Sequence, residues 1–444
     1  MVLVLLLLLL ISLLLLKMSL SSSSSLKLFL KKQLSLLSSL SLSSSSSSLS
    51  SSCKIYIGNE AGDADSIISS LCMAYLRSSI NTASNTIHVP VVCVNRKDIH
   101  LRHDVELLLQ SIKLELSDLI CIDEINLPSS SSSSSLSLSV NNNDDNRLKL
   151  ILLDHNVISN KVTSLLPISN NNIIDSYIEE IIDHHADVGY YPHCQGKYRN
   201  IAWDHNTNTA TVGSACTLVS EIYLSESERL LDSDISTLLM GVISLDTYNM
   251  DPNVGKGTKR DQIILNELQN RCINNNGINR NELFNILINA KTDISFWRSL
   301  HPSDQLILDY KNFDSLSITF GMSSILLSVI EFINHNDSIS IINKYLDNNN
   351  DKVLDILAIM SFVTNPIPTR ELLLLSYSEY RLNDIVKYIN SNHNTIELSS
   401  IDIDNNIIHN MKQKKVYGLA FKQGNLKMSR KQLAPILQQY YQQL

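Results

Sequence analysis

Three short apolar runs in this chain each lead directly into a group of acids. KIYIG from Lys54 leads to Asp63 and Asp65 in GNEAGDADS, RLKLILL from Arg147 to Asp154-His155-Asn156, and YIEEII from Tyr177 to Asp183-His184-His185. A continuous apolar run of four to eight residues that stops at polar residues reads as a buried strand. Behind the first run, DSIISSLCMAYLRSSI has apolar residues at helical spacing, IHVPVVCVN (87–95) and LICIDEI (119–125) read as further strands, and DVELLLQSI reads as a helix. This alternation predicts an α/β class with a parallel sheet covered by helices on both faces. In such an open sheet the carboxyl ends of the strands share one edge, where ligands bind. The acids are therefore expected to converge.

The remaining chain divides by composition. Residues 1–52 form a low-complexity leader, 53–269 the first domain, the Asn-rich 270–282 a linker, and 283–444 a smaller second α/β domain with strands such as SLSITFGMSSILL and KVYGLAFKQ. Within the first domain, TVGSACTLVSEIYL (211–224) reads as a helix. ISTLLMGVISL (235–245) does too, although it is short and apolar enough to suit a strand. The Ser- and Asn-rich stretch 128–147 has too little apolar content for a core and reads as a disordered surface insertion. The Asn/Asp clusters at 347–351 and 403–406 read as loops. A length of 444 residues suits two domains.

Charge narrows the partners. Five lysines and no acid precede Glu60, so of the net −8 the leader side carries +5 and the rest −13. A body this acidic does not hold a polyanion by bulk attraction, which disfavours non-specific nucleic-acid binding; a phosphate-rich ligand needs a local basic pocket or bound cations. The seven cysteines are scattered without a C-x-x-C pair, which suits reduced thiols and gives a structural zinc site no support. Val2 to Leu16 is apolar except for Ser12, the length of a signal-peptide core but short for a membrane span. The basic, Ser-rich, acid-free stretch behind it suits a mitochondrial transit peptide, and a leader with no address fits as well. The expected location is cytoplasmic, or mitochondrial or secretory if 1–52 is a targeting segment. No membrane span is expected in the body, and no protein partner is indicated.

The side chains at the strand ends carry the chemistry. Asp63 and Asp65, with Asp154, His184, His185 and the later Asp246 in SLDT, offer oxygen and nitrogen ligands without thiolate, a set suited to Mn²⁺ or Mg²⁺. Two such ions about 3.5–4 Å apart serve phosphoanhydride or phosphodiester hydrolysis by clamping phosphoryl oxygens and activating water. Each cluster alone has a plainer reading: a D-x-D as a helix cap, and His155 as a satisfied half-buried side chain. Three clusters, each directly behind a buried strand, favour the metal reading. His88, His100, His103, His193, His205, His301, His335, His393 and His409 lack such company and read as structural or surface residues.

At these residues the sequence resembles the DHH phosphoesterase superfamily, named for the tripeptide found here as Asp183-His184-His185. GNEAGDADS, LLDHN, IDHHAD and SLDT stand in the family's order. VGSACTLVSE, DTYNMDPNVGKGTKRD and the asparagine at 59 resemble the exopolyphosphatase and prune branch, whereas the sister family II pyrophosphatases usually have histidine there. NAKTDIS, DQLILDYK and SRKQLAP are similar to the associated C-terminal substrate domain. The resemblance implies that Asn59, Asp63, Asp65, Asp154, His184 and Asp246 surround two metal ions, with Asp154 bridging them. It implies that His184, His185 and Asp154 serve catalysis, and that His185 faces the substrate. It also implies that Lys291, Arg430 and Lys431 hold phosphate groups. Arg430 would offer a planar fork and Lys431 a point charge.

Lys256 and Lys259 are weaker candidates, equally well read as exposed loop charges. The helix start near Gly213-Ser214 could supply backbone donors or simply a close packing contact. The family architecture implies an active site in a cleft between a larger metal domain and a smaller basic one. The expected function is metal-dependent release of terminal orthophosphate from inorganic polyphosphate. Alternatives are an inorganic pyrophosphatase, a cyclic-nucleotide phosphodiesterase or a prune-like regulatory interaction protein.

Overall fold

The computed structural model describes residues 25–42, 52–81, 86–125, 148–163, 166, 174–275, 277–314, 319–347, 353–363 and 367–442. The chain forms two compact units, Met1–Lys291 and Thr292–Leu444. In the first, strands β1 (Cys53–Ile57), β2 (Ile87–Val91), β3 (Leu148–Leu153), β4 (Ile178–Asp183) and β5 (Arg199–Ile201) form an all-parallel sheet in the order β2-β1-β3-β4-β5. Side chains alternate between its two faces: Tyr56, Ile151, Leu153 and Ile182 enter one apolar cluster, Ile55, Ile57, Leu150, Leu152 and Ile181 the other. Both faces are covered, which is why these strands read as continuous apolar runs. The Tyr56 face packs against α2 (Ala64–Ile80), α4 (Ala215–Glu226) and α5 (Ser233–Asp246), with α3 (His103–Gln110), α6 (Lys259–Asn275) and α7 (Arg280–Thr292) adding to the same core. Val162, Leu166, Tyr191 and Cys194 cover the other face.

The apolar segment 235–245 is helical. Its residues are all buried, so its period is hidden, but Asp232 caps the first turn by accepting from the N–H groups of Asp234 and Ile235. The strand expected at 119–125 is reduced to one bridge, Val92 to Cys121, followed by a 3-10 turn over Ile122–Glu124. Side chains compete with the ladder there: the Glu124 carboxylate accepts from Cys121 N at 2.8 Å, and the Arg96 guanidinium donates to the carbonyls of Leu116 and Leu119. The expected linker at 270–282 also differs. Helix α6 runs on to Asn275 because Ile264, Leu265, Leu268 and Cys272 keep one face buried, and the two units divide only after Lys291.

Two low-complexity expectations change as well. Within the leader, Ser25–Leu42 forms helix α1, with Leu26, Phe29 and Leu30 buried in the first cluster and Leu36 and Leu37 against the second. The helix thus reaches both faces of the sheet beside its edge strand β2. Phe29 meets the Tyr75 ring edge-on at 5.5 Å, Tyr75 Oη donates to Ser25 Oγ at 2.9 Å, and Lys27 pairs with Asp118. Leu30→Ala is expected to lower stability by roughly 2–5 kcal/mol, as buried Leu deletions do; an unchanged thermal midpoint would show that α1 does not dock. In the cluster at 403–406, Asp404 caps a helix that begins at Asn405. The insertion 128–147 and residues 1–24 and 348–351 lie outside the described residues. Among the described residues, no helix is long and apolar enough to cross a membrane. All seven cysteines are free thiols.

The second unit contains β6 (Tyr310–Asp314), β7 (Thr319–Ile325), β8 (Ile356–Val363), β9 (Thr369–Ser376), β10 (Leu398–Ile401) and β11 (Tyr417–Gln423) in a mixed sheet of order β10-β11-β9-β8-β7-β6. Only β7 and β8 pair in parallel. Apolar clusters lie on both its faces, one of them including Leu433 and Leu437 of α8 (Arg430–Gln442), so this unit too is α/β. Its charge is nearly balanced: 14 Lys and Arg against 15 Asp and Glu from Thr292 onward, which departs from the expected basic domain.

Candidate metal centre

The carboxyl ends of β1, β3 and β4 bring the expected acids together. Gly58 follows β1 so closely over the start of α2 that an added Cβ would overlap Ser66. That close approach sets Asn59 and Ser66 beside Asp154, whose Oδ2 accepts from Asn59 Nδ2 at 2.8 Å and from Ser66 Oγ at 2.8 Å. Asp154 itself is 2% exposed and sits at φ 61°, a left-handed conformation that turns its side chain at the end of β3. Such a conformation in a non-glycine residue is a mark of functional sites.

Asp63 has the capping role of the plainer reading: its Oδ1 accepts from Ser66 N at 3.1 Å at the start of α2. Its charge nevertheless acts on Asp154 and Asp246, so it belongs to the same cluster. Asp65 is buried against the first turn of α4, accepting from Ser214 Oγ at 2.8 Å, Ala215 N at 2.7 Å and Cys216 N at 2.9 Å. The helix start near Gly213-Ser214 therefore donates to Asp65, which it orients.

The two histidines differ. His184 Nδ1 lies 3.3 Å from the carbonyl of Val212, while its Nε2 is 3.3 Å from Asp154 Oδ1 and 3.7 Å from Asp65 Oδ2. An Nδ1–H donated to a carbonyl leaves Nε2 as the coordinating atom. Burial pulls the imidazole pKa down, but Asp154, Asp65 and Asp246 outweigh it and push it up to about 10. His185 is half exposed, with Nδ1 2.9 Å from Asp183 Oδ1 and 3.6 Å from Asp154 Oδ1. One ligand atom each from Asp154, His184 and His185 lies within 4.8 Å of the others.

Asp183, the first residue of the tripeptide, is fully buried and already spent. It accepts from Asn156 Nδ2 at 2.6 Å, His184 N at 2.8 Å and His185 N at 3.2 Å as well as facing the His185 ring. Burial raises its pKa, but these partners hold it down at about 2. It orients His185. Asn156 and Ser66 are supporting residues that sequence reading passed over; each sits within two residues of a flagged acid, and only their bonds distinguish them from ordinary turn residues.

Asp246 ends α5 with a buried Oδ2 that has no hydrogen-bond partner, and Asp154 Oδ1 is likewise without one. Burial, then Asp65 and Asp63, push the Asp246 pKa up to about 8 against the pull of Lys291 and His184. Asp154 is raised well above the carboxylate range by burial and then by Asp65 and Asp63. Two orphaned carboxylate oxygens among mutually repelling acids, with a histidine nitrogen alongside, fit divalent cations.

The basic residues are less uniform. Lys291 is exposed in the last turn of α7; desolvation of its ammonium lowers its pKa, but Asp104, Asp246 and Asp63 outweigh that and raise it. Arg430 opens α8 in the second unit and is bound to Asp309, donating to its carbonyl and, at 2.6 Å, to its carboxylate. Lys431 is the next residue of that helix. Lys256 stacks its ammonium over the Tyr248 ring, 4.9 Å from the centroid.

An α/β domain with this acid and histidine cluster at the strand ends, followed by a mixed-sheet α/β unit, defines a DHH phosphoesterase. Residues 54–243 match the N-terminal domain of the DHH family and residues 285–440 the DHHA2 domain, and the chain belongs to that family. Human exopolyphosphatase PRUNE1 is 27% identical over 387 residues, covering 87% of this chain and 75% of that protein. A putative exopolyphosphatase of Schizosaccharomyces pombe is 28% identical over 222 residues, 48% of each chain. A putative family II inorganic pyrophosphatase of Methanococcus jannaschii has a TM-score of 0.49 at 17% identity, covering 88% of this chain and 99% of that one.

Proposed function

We propose that the protein is a metal-dependent exopolyphosphatase that releases terminal orthophosphate from inorganic polyphosphate. The observation that carries this reading is the pair of orphaned carboxylate oxygens, Asp154 Oδ1 and Asp246 Oδ2, beside His184 Nε2. Asp63, Asp65, Asp154, His184 and Asp246 would hold two Mn²⁺ or Mg²⁺ ions. When bound, such ions supply charge neutralisation for phosphoryl oxygens and activation of water. The relatives named exopolyphosphatase support a phosphoanhydride substrate over other phosphoesters.

The chain's own residues have separable tasks. Asn59, expected beside the metals, uses Nδ2 on Asp154 and Oδ1 on Ala61 N, so it acts by fixing the Asp154 carboxylate. Asp183 holds His185 Nδ1, which leaves Nε2 to meet a phosphoryl oxygen. Lys291 adds positive charge beside Asp246 and Asp63. Asp309 engages two of the five Arg430 donors and so fixes the plane of the fork; the others suit the oxygens of the retained phosphate chain, to which Lys431, the next residue in sequence, would add a point charge.

The test is phosphate release from long polyphosphate, tripolyphosphate, pyrophosphate and cyclic AMP by protein stripped of metal and reloaded with Mn²⁺ or Mg²⁺. The expected result is metal-dependent release of orthophosphate from polyphosphate. Release from pyrophosphate alone, or from cyclic AMP alone, replaces the polyphosphate reading with that substrate. No release from any, with metal binding verified, leaves a regulatory binding role.

A further inference from the structure

We propose that Asp261 is a positioning residue that couples the helix anchoring Asp65 to the loop leaving Asp246. Through that coupling it sets both cation affinity and the hold on the phosphate chain. The inference rests on the functional reading above. Asp261 is the third residue of α6, is completely buried, and lies outside the cation cluster. Its Oδ1 accepts from Thr217 Oγ1 at 2.6 Å. Its Oδ2 accepts from Gly213 N at 2.8 Å, Thr258 N at 2.8 Å and Thr258 Oγ1 at 2.7 Å. A carboxylate this deep with four donors is fully satisfied, so its purpose is to fix the groups that donate to it.

Those donors come from two elements. Gly213 and Thr217 bracket Ser214, Ala215 and Cys216, the three residues whose donors hold Asp65. Thr258 closes the loop that begins after Asp246. The loop is strained at its start: Tyr248, Asn249 and Met250 follow one another at φ 50°, 53° and 67°. Three successive non-glycine residues in the left-handed region persist only where the surroundings over-determine them. Asn249 Nδ2 donates to Asn281 Oδ1 at 2.8 Å, Gly257 is pressed so tightly against Met250 that a Cβ would overlap its sulfur, and Asp261 fastens the far end. At Gly213 the parts meet: an added Cβ would lie 2.7 Å from Thr247 Cγ2, 3.0 Å from the Lys256 carbonyl and 3.3 Å from Asp261 Oδ2.

The loop in turn carries Tyr248 with the exposed Lys256 ammonium held over its ring, 4.9 Å from the centroid, the basic group this loop would offer to a phosphate chain. Asp261 therefore touches neither a cation ligand nor substrate, yet holds one support of each.

The experiment uses the full chain. Asp261→Asn keeps the size of the side chain but turns one acceptor into a donor facing donors. It should weaken Mn²⁺ binding, read by calorimetry, and raise KM for tripolyphosphate, each by about tenfold or more, as supporting residues around metal sites do. Thr258→Val should raise KM and leave the Mn²⁺ Kd unchanged; Thr217→Val should weaken Mn²⁺ with a smaller change in KM. Asp261→Asn with wild-type Kd and KM and an intact near-ultraviolet dichroism spectrum overturns the inference. If that variant does not fold, the two threonine variants decide, and unchanged or identical responses in both overturn it. Wild-type protein that binds Mn²⁺ but releases no phosphate sinks the exopolyphosphatase reading alone, since the Kd differences still test the clamp.

Discussion

Asp154→Asn is expected to reduce phosphate release by about a thousandfold or more while leaving the cation-free protein at least as stable as the wild type. Asparagine tolerates the left-handed backbone found at φ 61° and keeps an acceptor for Asn59 and Ser66, so the local fold survives. What disappears is the negative charge on the carboxylate whose Oδ1 lies 3.3 Å from the His184 ring and 3.6 Å from the His185 ring. Loss of a single preorganised group at developing phosphoryl charge typically costs 10²–10³-fold, and a residue shared by two cations is expected to exceed that range. The stability side follows from the raised pKa of Asp154: burial, with Asp65 and Asp63 beside it, disfavours its charge more than the His184 imidazole favours it, and neutralising it removes that penalty. Turnover near the wild-type rate would sink the cation assignment. A large fall in the thermal midpoint of the cation-free variant would show that Asp154 is a structural residue.

The second large effect is a pH dependence that reverses between cation-free and loaded protein. His184 is pushed up to about 10 and Asp246 to about 8, both above their ordinary values of 6.5 and 3.8. A raised pKa means that the folded state holds its proton more tightly than the unfolded chain. The associated stability is complete below the unfolded pKa and is lost as pH rises through the folded one. Between about pH 4 and pH 10 the cation-free protein should therefore become progressively less stable.

Cations compete for the same sites, so loading releases protons. Binding at pH 7 should release close to two protons from this pair, and affinity should rise with pH until both groups have titrated. Calorimetry in buffers of different ionisation enthalpy reads the proton count, and thermal scans across pH read the stability gap between the two forms. A gap that narrows as pH rises, or proton uptake on loading, would contradict the assignment of His184 and Asp246 to one cation cluster.

Much of this site was legible in the sequence because its parts lie at strand ends. A parallel sheet places the carboxyl ends of its strands along one edge, so Asp63, Asp65, Asp154 and His184 converge once the runs before them are read as strands. Asp246 followed less directly, since its helix is apolar on every side and shows no period. Within Asp183-His184-His185 the resemblance separated the two histidines, but the part played by Asp183 was not legible. Asp183 and Asp154 stand level at the ends of the paired strands β4 and β3, so only the partners each meets separate an acid spent on backbone and imidazole donors from one with an open oxygen. Arg430 was placed by its motif, but nothing local to SRKQLAP points to Asp309, 121 residues earlier.

What the sequence by itself determined is the α/β class, the parallel sheet of the first unit and the edge on which the acids gather. Strand period and strand-end chemistry are local properties of the chain. The tertiary structure decided which oxygens remain unpartnered, how Asp261 ties two distant segments together, and that part of a Leu/Ser-rich leader packs as helix α1 beside the edge strand. Those outcomes depend on partners far away in sequence. A leucine-rich low-complexity segment has no fold of its own until an apolar surface elsewhere buries Leu26, Phe29 and Leu30.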